Sequence, residues 1–154
     1  MEIERKYLVN KILWQNLRDP VSACFIQQAY LSVDPKCSVR IRIKDSKALI
    51  TIKGETMGMS REEFEYTVPL NDGLEIMRMA GTPVITKHRY QMQQDGFTWE
   101  IDEFYGDNEG LIIAEVELEN ENQDPEWPEW IDREVTGDPR YFNIQLAINP
   151  INHW

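Results

Sequence analysis

Glu2, Glu4 and Lys6 open the chain at every second position. In a β-strand that spacing places all three charges on one face. The alternation returns six more times, as Arg40 and Arg42, Thr51 and Lys53, Glu63 and Glu65, Lys87 and Arg89, Glu100 and Asp102, and Glu115 and Glu117. Paired carboxylates suit hard divalent cations, which take oxygen ligands. Arginine forks grip phosphate oxygens, and lysine adds point charge. A face holding both could bind a polyanion together with metal.

These residues need strands to position them. Residues 2–9, 24–33, 37–44, 47–54, 61–70, 83–92, 97–104 and 111–119 read as eight strands. Asp45-Ser46 and Asp95-Gly96 supply hairpin turns. Helices are expected over 11–19, over 72–81 with Asn71 or Asp72 as N-cap and Gly81 as stop, and over 138–148 with Asp138 as N-cap and Pro139 at the first helical position. Strands in succession, joined by tight turns, predict an α+β, mostly β fold with an antiparallel sheet. Closing eight strands into a barrel would remove the exposed edges.

A wet outer face would also alternate in this way. Two features favour a site instead. The polar face is almost purely charged, and the charges come in same-sign pairs within each strand. Ion pairing across a surface would be served better by mixed signs. The face collects eight acids and six bases. A triphosphate would be repelled by a net −2, and two divalent ions would turn that to +2. Phosphate binding is therefore expected to depend on metal.

The rest of the chain bounds the class. Its 154 residues suggest one domain spanning 1–154 and can bury a core without disulfides. A net charge of −11 excludes a broad nucleic-acid-binding surface. Cys24 and Cys37 form no metal knuckle and read as reduced thiols. With no apolar run of membrane length and no signal peptide in view, a cytoplasmic protein with no membrane partner is expected. His88 should face away from the charged face, as should Arg5. Trp127 and Trp130 should pack a loop against the exterior, and Leu74 and Met77 should face the core.

The segments "EIERKYLV", "QQAYLS", "RIRI", "LITIKG", "EFEY", "KHRY", "WEIDEF", "AEVELE" and "RYFNIQLA" follow one another as they do in a known family. The chain resembles the CYTH family, the triphosphate tunnel metalloenzymes, over nearly its whole length. The resemblance implies an eight-stranded antiparallel closed barrel with a charged interior, helices outside and a C-terminal helix plugging one end. It implies Mg²⁺ or Mn²⁺, two ions with substrate bound. Glu2, Glu4, Glu115 and Glu117 would be metal ligands. Glu63, Glu65, Glu100 and Asp102 would position a second metal or the attacking water. Lys6, Arg40, Arg42, Lys53, Lys87, Arg89 and Arg140 would bind substrate. Family members suggest Tyr30 and Lys53 as a water-activating dyad, since a nearby ammonium favours phenolate; a hydroxide on the metal is the rival. Phe142 and Ile144 stand where relatives can carry lysine.

The implied activity is hydrolysis of triphosphate compounds, foremost inorganic tripolyphosphate to pyrophosphate and phosphate, with weaker action on nucleoside triphosphates. Class IV adenylate cyclase, thiamine triphosphatase and a non-catalytic polyphosphate-binding module are the alternatives. The partner would be tripolyphosphate, ATP or thiamine triphosphate, bound by a monomer or homodimer.

Overall fold

In a computed structural model covering residues 1–154, antiparallel pairing organises the chain. Ten strands form: β1 (Glu2–Val9), β2 (Cys24–Asp34), β3 (Cys37–Lys44), β4 (Lys47–Gly54), β5 (Ser60–Arg61), β6 (Glu63–Val68), β7 (Ile85–Gln94), β8 (Phe97–Phe104), β9 (Ile112–Glu117) and β10 (Ile131–Glu134). Their order is β10-β1-β9-β8-β7-β2-β3-β4-β6, and β5 pairs with β1 through Glu2–Arg61 and Ile3–Ser60.

The expected eight-stranded closed barrel is corrected on two counts. Residues 61–70 do not form one strand. Glu62 interrupts them, its carbonyl accepting from the Gly54 amide at 3.0 Å, so that β6 stays with β4 while β5 turns to β1. A tenth strand lies in a charged stretch too short to show alternation. The path does not close along its full length; across the gap β5 pairs with β1 over two residues, the Glu4 amide donates to the Met59 carbonyl at 3.3 Å, and Lys53 of β4 pairs with Glu2 of β1 at 3.0 Å.

The hairpins follow turn chemistry. Asp95 and Gly96 both take positive φ, 53° and 80°, and Asp45 takes 54°. Asx residues and glycine tolerate this region.

The larger of two apolar clusters lies on the sheet's outer side. Trp14 of helix α1 (Lys11–Leu17) meets Trp130 at 5.1 Å and Tyr90 at 5.5 Å between ring centres. Tyr7, Trp99, Ile101, Ile112, Ala114, Val116 and Leu118 complete this cluster. Trp130 is thus fully packed, while Trp127 stays half exposed with its edge on Tyr7. His88 points outward, between Phe25 and Tyr105.

Helix α2 spans Leu70–Met79, two residues earlier than 72–81, and Pro69 precedes it without a side-chain cap. Gly73 is the reason for its seating: a Cβ there would collide with the Cβ of Ala48. Because the glycine makes the close contact, Leu74 is left 42% exposed rather than facing the core.

The C-terminal segment also departs from a single helix over 138–148. Asp138 caps a 3₁₀ turn, Pro139–Tyr141, and the chain extends at Phe142 before α3 (Asn143–Ile148) begins. Leu146 and Ala147 of α3 pack on Tyr30, Ile85, Phe104 and Ile113.

Candidate active site

The inner side of the sheet encloses a cavity of about 640 Å³. Only six of its 32 lining residues are hydrophobic. All the sequence-nominated residues line it except Asp102 and Arg140. Thus β1 contributes Glu2, Glu4 and Lys6; β2 Tyr30; β3 Arg40 and Arg42; β4 Lys53; β6 Glu63 and Glu65; β7 Lys87 and Arg89; β8 Glu100; β9 Glu115 and Glu117.

Asp102 lies behind the wall. It pairs with Lys87 at 2.8 Å and takes both ends of the Arg89 fork, at 2.8 and 2.9 Å. Burial raises its proton affinity, but Arg89 and Lys87 overcome this and hold it well below the usual carboxylate range. Arg140 is on the surface, bound to Asp138 at 2.7 Å and stacked near Tyr141 and Trp154.

Three groups extend the same alternation but were not nominated: Lys44 after Arg42, Arg61 before Glu63, and Glu55 after Lys53. Their parity was a usable signal. With them the lining holds eight acids and eight bases, so it is balanced rather than at −2. Gln28 and Asn143 gave no charge to notice.

The acids are crowded. Register places Glu4 opposite Glu117, and Glu100 opposite Glu115. Like charges directly opposite one another destabilise a sheet. Burial, then Glu115, pushes the Glu4 carboxyl well up. Burial also raises Glu63 to about 7, where it shares a hydrogen bond with Glu2. Glu2 itself is held low against burial by Lys53, 3.0 Å away. Burial would raise Glu115 too, but Lys6, at 3.5 Å, and Arg89 bring it down to about 2.

The bases are braced. Thr51 donates to Glu65 at 2.8 Å and accepts from Arg40 at 2.9 Å. Gln28 accepts from two nitrogens of Arg42. Burial, with Arg40 and Arg89 adding to it, lowers Arg42 to about 9. Burial lowers Lys87 to about 7 despite Asp102. Lys53 is joined to Glu2, not to Tyr30.

No three carboxylate, histidine or cysteine side chains converge as a finished metal cage. The donors nevertheless fit a hard cation whose shell is completed by substrate oxygens. Burial and Glu115 raise the proton affinity of Glu4 more than Lys6 and Lys53 lower it, and a divalent ion would supply the further positive charge that favours the carboxylate.

The CYTH domain family profile matches residues 1–142. The chain belongs to the CYTH domain family. A protein of Acetivibrio thermocellus named inorganic triphosphatase is 46% identical over 154 residues, covering 99% of this chain and 97% of that one. One of Nitrosomonas europaea with the same name is 31% identical, covering 96% and 97%. A crystal structure of an inorganic triphosphatase superposes with a TM-score of 0.66 at 30% identity, covering 96% and 97%. Metal dependence is general to CYTH triphosphatases. No helix of this chain is long and apolar enough to cross a membrane.

Proposed function

We propose that the protein is a metal-dependent triphosphatase that hydrolyses inorganic tripolyphosphate to pyrophosphate and phosphate. The observation that carries this is a single cavity lined by both opposed carboxylates and braced cations. Two relatives named inorganic triphosphatase, matched over nearly their full lengths, support it.

Lys6, Arg40, Arg42, Lys53, Lys87 and Arg89 hold the phosphoryl oxygens, and Arg61 adds to them. Asp102 does not touch substrate or metal in this reading; it fixes Lys87 and Arg89. Arg140 stays with Asp138 outside the cavity. Glu2, Glu4, Glu115 and Glu117 would hold Mg²⁺ or Mn²⁺, with Glu63, Glu65 and Glu100 near a second ion or the attacking water. A divalent ion held by these carboxylates would neutralise charge on the phosphoryl oxygens and polarise phosphorus. Tyr30, the register partner of Arg40, lines the cavity and would orient the attacking water.

The lining favours an inorganic substrate. Tyr30 and Phe142 are its only aromatic residues, and a nucleobase or thiazolium ring would need an apolar platform. The test is an assay with tripolyphosphate, ATP and thiamine triphosphate, each with Mg²⁺ or Mn²⁺. Tripolyphosphate should be cleaved fastest. Cyclic AMP from ATP would replace the hydrolase reading with a cyclase, and no turnover of any substrate would leave a binding module.

A further inference from the structure

Gln28 carries no charge and is fully buried, yet it sits among the cations of the cavity wall. Its Oε1 accepts from Arg42 Nε at 3.0 Å and Nη2 at 2.7 Å. A guanidinium only donates, so the amide orientation is fixed by chemistry. Gln28 Nε2 must then donate, and it does so to Asn143 Oδ1 at 3.1 Å.

Asn143 is fixed from a second side as well. Lys87 Nζ donates to the same Oδ1 at 2.9 Å, while also donating to Asp102. Gln28 Nε2 can only donate, so it demands oxygen at that position, and the amide nitrogen must lie on the other side. Asn143 lines the cavity, and no protein acceptor takes its Nδ2. The backbone that carries it is anchored, because Asn108 Nδ2 donates to the Leu146 carbonyl at 3.1 Å.

We infer that Asn143 is a substrate-binding residue whose Nδ2 donates to a phosphoryl oxygen, with Gln28 as the positioning residue that aims both this amide and the Arg42 fork. The inference deepens the triphosphatase reading and rests on it. It assigns the C-terminal helix a contact with the anion that survives without lysine at Phe142 or Ile144. A neutral amide held this way donates only, so it favours the fully ionised phosphoryl group over a protonated one.

The test is calorimetric titration of tripolyphosphate, with Mg²⁺ present, into wild type, Asn143→Asp, Asn143→Ser and Gln28→Leu. Asn143→Asp keeps an acceptor for Gln28 and Lys87 but turns an oxygen toward the anion. Its affinity should fall more than tenfold with the melting temperature held. Asn143→Ser retains an oxygen acceptor, withdraws the donor and should weaken binding less, by several-fold. Gln28→Leu frees the Arg42 fork, so KM should rise by more than kcat falls. Wild-type affinity in folded Asn143→Asp or Asn143→Ser overturns the assignment. Should Asn143→Asp fail to fold, Asn143→Ser decides. Wild type that binds no tripolyphosphate removes the triphosphatase reading itself, and this inference with it.

Discussion

Where β3 and β7 meet the C-terminal helix, Arg42, Lys87 and Arg89 each have fixed partners in Gln28, Asn143 and Asp102. Where β1 faces β9, Glu4 and Glu117 stand opposite one another, and no ion pair or side-chain hydrogen bond holds either carboxylate. The two walls solve the same difficulty differently. Buried charge is costly unless paired and hydrogen-bonded. The basic wall meets that cost within the protein; on the acidic side Glu2 and Glu115 are paired with Lys53 and Lys6, whereas burial and neighbouring carboxyls raise the proton affinity of Glu4 and Glu63. Protons can be exchanged for a metal ion, but internal ion pairs cannot. The basic wall thus belongs to the fold, and the acidic wall to the ligand.

Glu4→Gln should break this contrast most sharply. Loss of one charged ligand should lower metal-dependent kcat/KM by on the order of 10²–10³, the scale of one lost electrostatic contact in a transition state. Stability should hold or rise, because a neutral amide replaces a carboxyl whose charged form is disfavoured by burial and Glu115. Phosphate release and a thermal melt measure the two. Full activity would remove Glu4 from the metal site.

Asp102→Asn should show the opposite balance. It leaves Lys87 and Arg89 buried without their shared carboxylate. Breaking a buried pair in this way costs about 3–5 kcal/mol. Denaturant unfolding should show that loss with Mg²⁺ present or absent. A change below about 1 kcal/mol would mean that the basic wall is not the stabilising side.

The sequence disclosed the charged wall because its period is that of a strand, and one triplet and six pairs kept it. Strands 2–9, 37–44, 47–54 and 97–104 match the structure to the residue, with Asp45-Ser46 and Asp95-Gly96 marking two of the hairpins. What stayed hidden has physical reasons. Glu62 breaks a strand without glycine or proline, since its carbonyl is drawn to Gly54. Asp102 has the parity of a ligand, and only three dimensions show two cations already upon it. Gln28 shares parity with Tyr30, but an uncharged amide in an apolar strand announces nothing until Arg42 is seen to donate to it twice.

Glu63→Gln offers the finest test, through pH. The Glu63 carboxyl is raised by burial and by Glu2 from an ordinary 4.5 to about 7. The folded state then binds more protons than the unfolded state between those values, so stability contributed by this group is lost as pH rises across that window. Glutamine can still donate to Glu2 and behaves as a side chain whose proton never leaves. Without divalent metal, wild type should lose melting temperature from pH 5 to pH 7.5 more steeply than Glu63→Gln. Lys87, lowered to about 7, acts with the opposite sign above that pH, because there the unfolded chain binds the extra proton. Both proteins keep Lys87, so the difference between their curves isolates Glu63. Parallel curves would show that Glu2 and Glu63 share no proton, and that the acidic wall tolerates its charges by solvation instead.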